Sequence, residues 1–204
     1  MTIHKGQQWG DLRVPPEDLV IADSDAELRH ILDGDDAWPP VVGLSGGDLM
    51  RTVGGSGHLA RFTSGQPLPH LPIDVVRVVA DESRETLFVA HLVARRGWWR
   101  GEVWAAMNAE FFGTWDLVPR GHPNDGKIDI VTASADLSVR QRSMTRRRLK
   151  IGTHMPHPHI SMTSRASATI QLAEATPLWL DGERWERAQR IDLTVVPDAI
   201  TICV

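Results

Sequence analysis

Residues 122–131 read His-Pro-Asn-Asp-Gly-Lys-Ile-Asp-Ile-Val, a polar turn that runs directly into an apolar stretch. The Asn-Asp-Gly at its centre is typical of a tight turn, and the residues from Lys127 onward predict a β-strand over 127–133. Carboxylates and an amide around a glycine also offer oxygen ligands for a hard cation, together with backbone carbonyls. Taken alone, an ordinary turn is the simpler interpretation, so any function for this segment depends on its surroundings.

The sequence on both sides of this turn predicts a mainly antiparallel β domain. Short runs rich in Val, Leu, Ile and Phe are separated by turn residues, as is usual for antiparallel strands. One basic helix is predicted over 138–150, with Ser138 as its N-cap. The predicted strands cover 73–80, 86–94, 102–108, 127–133, 159–163, 168–173, 178–180, 191–196 and 200–203.

The first 55 residues follow a different pattern. The apolar runs 19–22 and 40–44 each read as a buried strand, and a short amphipathic helix follows each of them. Ser24 is predicted to cap the first helix and Gly34 to end it. Strand, helix, strand, helix is the order of a parallel α/β sheet. We therefore predict an α+β protein with three parts: a small α/β domain over 1–55, a Gly- and Pro-containing linker over 56–71, and a larger, mainly antiparallel β domain with one helix over 72–204.

Composition limits the classes of function. The net charge is −4 and 42% of the residues are hydrophobic, which fits a globular protein and gives no general reason to expect nucleic acid as a partner. The single cysteine, Cys203, excludes an internal disulfide, and no apolar run is long enough to cross a membrane. We therefore expect a cytoplasmic protein whose contact with membranes is at most peripheral.

The one strongly basic segment lies in the predicted helix, which carries Arg140, Arg142, Arg146, Arg147, Arg148 and Lys150. Arginine side chains suit phosphate oxygens, and a basic helix also suits an anionic membrane surface. A solvated helix face explains the same pattern equally well.

Three histidines lie within residues 154–159. His157 and His159 would share a face of an extended chain. No fourth soft ligand lies nearby and two prolines restrict the chain, so a rigid polar connection is favoured over a zinc site.

A second acidic turn, Leu-Asp-Gly-Glu at 180–183, lies between an apolar strand and an exposed stretch. A glutamate there could act as a general base if a substrate hydroxyl came within hydrogen-bonding distance. Alone, a solvated Asp-Gly turn is the simpler interpretation.

Taken in order, these segments resemble the bacterial diacylglycerol/lipid kinase family, whose fold is shared with NAD kinases and sphingosine kinases. The matching motifs are Asn-Ala-Glu-Phe-Phe-Gly at 108–113 with Pro119, the turn and strand at 122–131, Gly-Thr-His at 152–154 and Leu-Asp-Gly-Glu at 180–183. The resemblance implies a truncated, NAD kinase-like α/β nucleotide-binding domain over 1–55, followed by a larger β-sandwich domain over 72–204. The activity it implies is transfer of a phosphoryl group from ATP, with magnesium, to a lipid hydroxyl. It also implies Glu183 as the base, with Asp181 beside it in the active site, and a structural magnesium or calcium ion held by Asp125 and the backbone carbonyls near His122 and Lys127.

In the first domain, the family carries a Gly-Gly-Asp-Gly-Thr loop and a Thr-Gly-Asn-Asp-Phe-Ala-Arg element, which both line the ATP phosphates. Ser-Gly-Gly-Asp-Leu-Met-Arg at 45–51 resembles the second element and implies ATP contacts from Ser45, Gly46, Gly47 and Asp48. Asp-Ser-Asp-Ala-Glu at 23–27 stands in place of the first, keeping Asp25 for the ATP site but no glycine. Without glycines, backbone N–H groups cannot approach phosphate closely, and the added acidic charge repels it.

Two segments are shorter than in the family. Residues 1–18 stand where the family has a strand-helix-strand-helix block, and the interval 74–108 lacks room for a helical insertion near the lipid cleft. We therefore expect a lipid kinase that is impaired or depends on a partner, for example a homodimer formed through exposed β edges. The alternative is a non-catalytic relative that binds a lipid, a nucleotide or a protein on the same fold.

Overall fold

In the computed structural model, which describes residues 9–34 and 37–204, most of the chain is organised around one mixed sheet of eleven strands. Three α-helices lie among the described residues: α1 (Asp25–Leu32), α2 (Gly47–Thr52) and α3 (Val139–Leu149). The strands are β1 (Asp11–Arg13), β2 (Val20–Ala22), β3 (Val42–Leu44), β4 (Leu68–Ala80), β5 (Arg84–Phe88), β6 (His91–Arg95), β7 (Val103–Met107), β8 (Phe111–Phe112), β9 (Trp115–Asp116), β10 (Ile128–Ala133), β11 (Ile160–Arg165), β12 (Ser167–Leu180) and β13 (Glu183–Cys203).

The main path through the sheet is β1-β4-β13-β12-β6-β7-β10-β11, and all of its neighbours are antiparallel. Near its C-terminal end, β13 also pairs in parallel with β3, which pairs in parallel with β2. The mostly antiparallel sheet with three helices confirms the predicted α+β class. Because β13 belongs to both the antiparallel and the parallel pairings, it fixes the β2-α1-β3-α2 segment against the rest of the sheet.

Apolar side chains pack against this sheet in several clusters. One cluster lies under α1 and α2 and includes Leu28, Leu32 and Leu49, which are buried. A second cluster lies between α3 and the strands, where Leu149 packs with Val103 of β7 and neighbouring residues. Burial of apolar area is the main source of stability for such layers.

Local signals explain where the two longer helices begin. The Ser24 side chain accepts a hydrogen bond from the backbone N–H of Glu27, and Ser138 forms a capping box with Gln141. Both serines satisfy N–H groups that a helix terminus leaves unpaired. The predicted N-caps are therefore confirmed.

The predicted strand at 86–94 is wrong, because the chain breaks between β5 and β6. The backbone N–H groups of Val89 and Ala90 donate to the carboxylate of Asp181 instead of a neighbouring strand. In the opposite sense, β12 and β13 are single long strands where the sequence predicted shorter pieces, and their register shifts at bulges. The hairpin of β8 and β9 was not predicted.

Candidate functional site

The turns that follow the parallel strands β2 and β3 bring Asp25 and Asp48 together. The Asp25 carboxylate accepts hydrogen bonds from the backbone N–H groups of Asp48, at 2.6 Å, and Leu49, at 3.1 Å. These N–H groups belong to the first turn of α2, where free donors would otherwise attract an anion. A carboxylate of the protein itself therefore satisfies these two donors.

Gly46 and Gly47, in the turn after β3, allow the two turns to come into contact. A Cβ atom on Gly47 would lie 2.3 Å from Oδ1 of Asp25, and one on Gly46 would lie 2.0 Å from the carbonyl oxygen of Asp23. Gly47 also has a φ of +95°, which other residues adopt only with strain. Ser45 donates through its backbone N–H to the carbonyl of Ala22, at 2.9 Å. The predicted ATP residues thus hold the two turns together.

His91, the first residue of β6, is buried beside Asp48. Its Nε2 lies 3.2 Å from Oδ2 of Asp48, and the same oxygen accepts the N–H of Gly113 at 2.8 Å. Although burial opposes each charge, these hydrogen bonds hold the pKa of Asp48 below its usual value and raise the pKa of His91. The pair therefore favours an imidazolium that donates to a carboxylate.

Asp181 is fully buried next to these groups. Its carboxylate accepts the backbone N–H groups of Val89, Ala90 and His91 at 2.9 to 3.1 Å. Burial raises the pKa of Asp181. Burial and the nearby charge of Asp181 together raise the pKa of Asp25 to about 7, although the two N–H donors favour its ionised form.

The predicted base, Glu183, lies at the edge of this cluster and is paired with α1. Its Oε2 accepts from Nη2 of Arg29 at 2.5 Å and lies 2.9 Å from Nε2 of His30. The Arg29 side chain is buried and also lies 3.7 Å from the Asp181 carboxylate. Half of the Glu183 side chain is exposed, so the carboxylate is partly accessible to solvent.

This acidic cluster, defined here as Asp25, Asp48, His91 and Asp181, can hold positive charge. Ligand atoms of Asp25, Asp48 and His91 lie within 4.8 Å of one another, the only such group among the residues with described positions. Carboxylate oxygens suit magnesium, whereas an imidazole suits zinc or iron better. The histidines of 154–159 form no comparable group, so the zinc interpretation gains no support there.

A partly enclosed apolar cavity of about 80 Å³ lies between α3 and the sheet. Its wall is almost entirely apolar, with side chains from β6, β7, β10 and α3 together with Trp98, Phe112 and Trp115. The polar residues that reach this wall are Arg142, Thr145, Arg146 and His154. The His154 side chain is 1% exposed, and burial lowers its pKa, whereas the charge of Asp116 and the backbone of Leu117 act in the opposite direction.

Phe112 separates the cavity from the acidic cluster. It lines the cavity, and its ring packs edge-on against His91 with the ring centroids 4.7 Å apart. The next residue, Gly113, donates to Asp48, and Arg51 of α2 lies over the ring of Phe111 and donates to the carbonyl of Gly113. The β8–β9 hairpin is therefore a wall shared by the two sites.

The predicted cation turn lies apart from this cluster. Asp125 accepts the N–H of Lys127 through one oxygen, at 3.0 Å, which leaves its second oxygen available. The adjacent Asn124 is buried, and its Oδ1 has no partner in the described residues. An oxygen-only set of this kind fits magnesium or calcium.

We predict that a magnesium or calcium ion binds the Asp125 carboxylate with the backbone carbonyls near His122 and Lys127. Asp125→Asn should weaken this binding because it removes the only formal negative charge among these ligands. Isothermal titration of the metal-free protein with calcium measures it, and Asp136→Asn, which changes an exposed carboxylate before α3, is the control. Equal heats for the wild type and Asp125→Asn would contradict the assignment.

We also predict that ATP with magnesium binds more weakly than about 0.1 mM, which corresponds to roughly 5.5 kcal/mol of binding free energy. The physical reason is that Asp25 already occupies the N–H groups of α2. Calorimetry with ATP and magnesium gives the affinity, and a dissociation constant in the micromolar range would show that Asp25 leaves when the nucleotide enters.

Three residues of the site were missed from the sequence: Arg29, His30 and His91. His91 interrupts an apolar run, and a lone polar residue in a buried strand is a signal that could have singled it out. Arg29 gives no such signal, because its partners Asp181 and Glu183 are more than 150 residues away along the chain.

No model of a known family matches the chain, and no curated protein matches it. The chain is, however, similar to solved structures. A "putative diacylglycerol kinase" from Bacillus anthracis str. Sterne aligns with a TM-score of 0.68 at 14% identity, covering 91% of this chain and 77% of its own. A diacylglycerol kinase from the same organism aligns with a TM-score of 0.64 at 14% identity, covering 91% and 75%. The chain therefore has the diacylglycerol kinase-like fold that its motifs predicted.

Proposed function

We propose that this protein is a lipid kinase of low activity, which holds part of a lipid chain in the cavity under α3 and transfers a phosphoryl group from ATP to the lipid hydroxyl at the acidic cluster. The observation that carries the proposal is the cavity itself, a largely apolar pocket that shares Phe112 with the acidic cluster, because the ring of Phe112 lines the cavity and packs on His91. Its form fits an amphiphile with its chain inside and its hydroxyl near the carboxylates.

The size of the cavity favours a narrow ligand. A volume of about 80 Å³ is well below the roughly 150 Å³ of an engineered cavity that binds benzene. The cavity therefore takes a short part of a single chain rather than two chains side by side. Among lipids with a free hydroxyl, monoacylglycerols and long-chain amino alcohols fit this better than diacylglycerols.

The roles of the charged residues follow from their positions. Glu183 would accept the hydroxyl proton through its free oxygen. Arg29 and His91 would face the negative charge of a phosphoryl group, and magnesium, when bound with ATP, would neutralise part of that charge. Asp25 would have to release the N–H groups of α2 for the nucleotide, which is why we expect the activity to be low.

Two observations favour a second candidate, a lipid-binding protein without phosphotransfer. The Asp25 carboxylate accepts the backbone N–H groups at the N-terminus of α2, and Arg29 forms an ion pair with Glu183. None of the helices among the described residues is long and apolar enough to cross a bilayer. A homodimer formed through an edge strand such as β11 stays a prediction.

An assay of radiolabelled phosphate transfer distinguishes the two candidate functions. It uses ATP with magnesium as the donor, and monoacylglycerols, diacylglycerols and long-chain amino alcohols as acceptors. The kinase predicts a labelled lipid, with the single-chain acceptors preferred. Lipid binding without any labelled product would replace the kinase by the second candidate, and absence of both would contradict the proposal.

A further inference from the structure

The outward face of α3 and the residue that follows it carry positive charge that the protein leaves unneutralised. Arg140, Arg147, Arg148 and Lys150 are exposed. The helix contains no acidic residue, and none of these four side chains forms an ion pair within residues 9–34 and 37–204. In a protein with a net charge of −4, this is a local concentration of the opposite sign, and it attracts an anionic surface.

Large apolar side chains are exposed among these cations. Trp99 is 46% exposed, Met144 47% and Ile151 71%. Arg146 links the loop of Trp99 to α3, because its guanidinium lies 4.8 Å from the centre of the Trp99 ring and 5.2 Å from that of Trp115. Exposed apolar groups surrounded by Lys and Arg are the pattern of a surface that lies in the interface of a membrane.

We propose that this face, named here the α3 surface and made of Trp99, Met144, Arg147, Arg148, Lys150 and Ile151, binds the surface of a bilayer that contains anionic phospholipids. The basic side chains contact the phosphate and carboxylate groups of the lipids, while the indole and aliphatic side chains enter the boundary with the acyl chains. A nucleic acid would use the cations but would leave Met144 and Ile151 without a role, which is why a bilayer is the better partner.

The α3 surface adjoins the apolar cavity. Phe112, Trp115 and Arg146 line both the apolar cavity and the groove beside Trp99 that opens on this face. Binding to a bilayer would therefore place the cavity entrance against its lipid source. This consequence rests on the proposed function, whereas the binding itself does not, because it needs neither ATP nor catalysis.

The test is co-sedimentation of the full chain, without ATP, with vesicles of phosphatidylcholine alone or of equimolar phosphatidylcholine and phosphatidylserine. We expect binding only to the second kind, falling as salt is raised. The triple variant Arg147→Gln, Arg148→Gln, Lys150→Gln should bind about a hundredfold more weakly, since each basic residue near the surface contributes about 1 kcal/mol. Trp99→Ala should weaken the binding that survives high salt.

The matched control is the triple variant Arg165→Gln, Arg184→Gln, Arg187→Gln, which removes the same charge from exposed positions on β11 and β13 and should bind like the wild type. Equal losses in the two triple variants would overturn the proposal, because net charge alone would then explain the binding. Equal binding to both kinds of vesicle, or binding to a fluorescent single-stranded RNA but not to anionic vesicles, would overturn it as well. Unchanged melting temperatures ensure that the comparison is between folded proteins.

Discussion

Replacing Asp181 by alanine is expected to lower the free energy of unfolding by about 3–5 kcal/mol. The carboxylate is fully buried and accepts the N–H groups of Val89, Ala90 and His91. Alanine would leave these donors without partners and the buried Arg29 without one of its two carboxylates. Because these donors lie where β5 ends and β6 begins, the substitution should disturb both the sheet and the acidic cluster.

Urea unfolding of the wild type and the variant measures the effect. Asp81→Ala is the matched control, since Asp81 is also an aspartate at a positive φ whose carboxylate accepts two backbone N–H groups, those of Gln189 and Arg190, but it is exposed. We expect Asp81→Ala to lower the free energy of unfolding by about 1 kcal/mol, because water can replace the lost acceptor. Equal losses in the two variants would mean that the buried carboxylate has no special part in the fold.

Replacing Glu183 by glutamine is expected to reduce phosphotransfer to a lipid by about 10²–10⁴-fold, the usual contribution of a general base. Glutamine keeps the shape and one acceptor oxygen for Arg29, but it cannot take the proton of the substrate hydroxyl. Lipid binding should stay nearly unchanged, because the cavity is on the other side of Phe112. Asp181→Asn should reduce turnover less, because the role of that residue is to hold the turn.

The assay is the labelled-phosphate transfer described above, run at saturating lipid so that turnover is compared directly. His30→Ala is the control, because it removes the second contact of Oε2 and leaves the Glu183 carboxylate in place. If Glu183→Gln turns over a lipid as fast as the wild type, the assigned base is wrong.

The parts of the fold that could be predicted depend on local signals. Ser24 and Ser138 mark helix starts because a serine oxygen satisfies N–H groups only a few residues away. The break between β5 and β6 depends instead on Asp181, which is distant in sequence, so the apolar pattern of 86–94 predicted one strand. Tertiary contacts had overridden the local preference for a strand.

The same distinction applies to the candidate site. The acidic turn at 180–183 and the Gly-Gly-Asp of 46–48 are short motifs, and each contributes one residue to the acidic cluster, Asp181 and Asp48. What the motifs could not give is the role of each residue. Asp25 contacts the N–H groups of α2 instead of facing solvent, and Arg29 crosses from α1 to Glu183. Such pairings depend on how the strands bring distant turns together.

The central claim is that a lipid chain enters the cavity under α3, and quenching of tryptophan fluorescence by a brominated monoacylglycerol tests it most directly. Trp98 and Trp115 line the cavity, so a bound chain should quench their fluorescence in a saturable way. Ala105→Leu places an isobutyl group in the cavity and should abolish this quenching while the melting temperature is kept or raised, because filling a void adds apolar contacts. Saturable quenching that Ala105→Leu does not alter, or no saturable quenching in the wild type, would contradict the account.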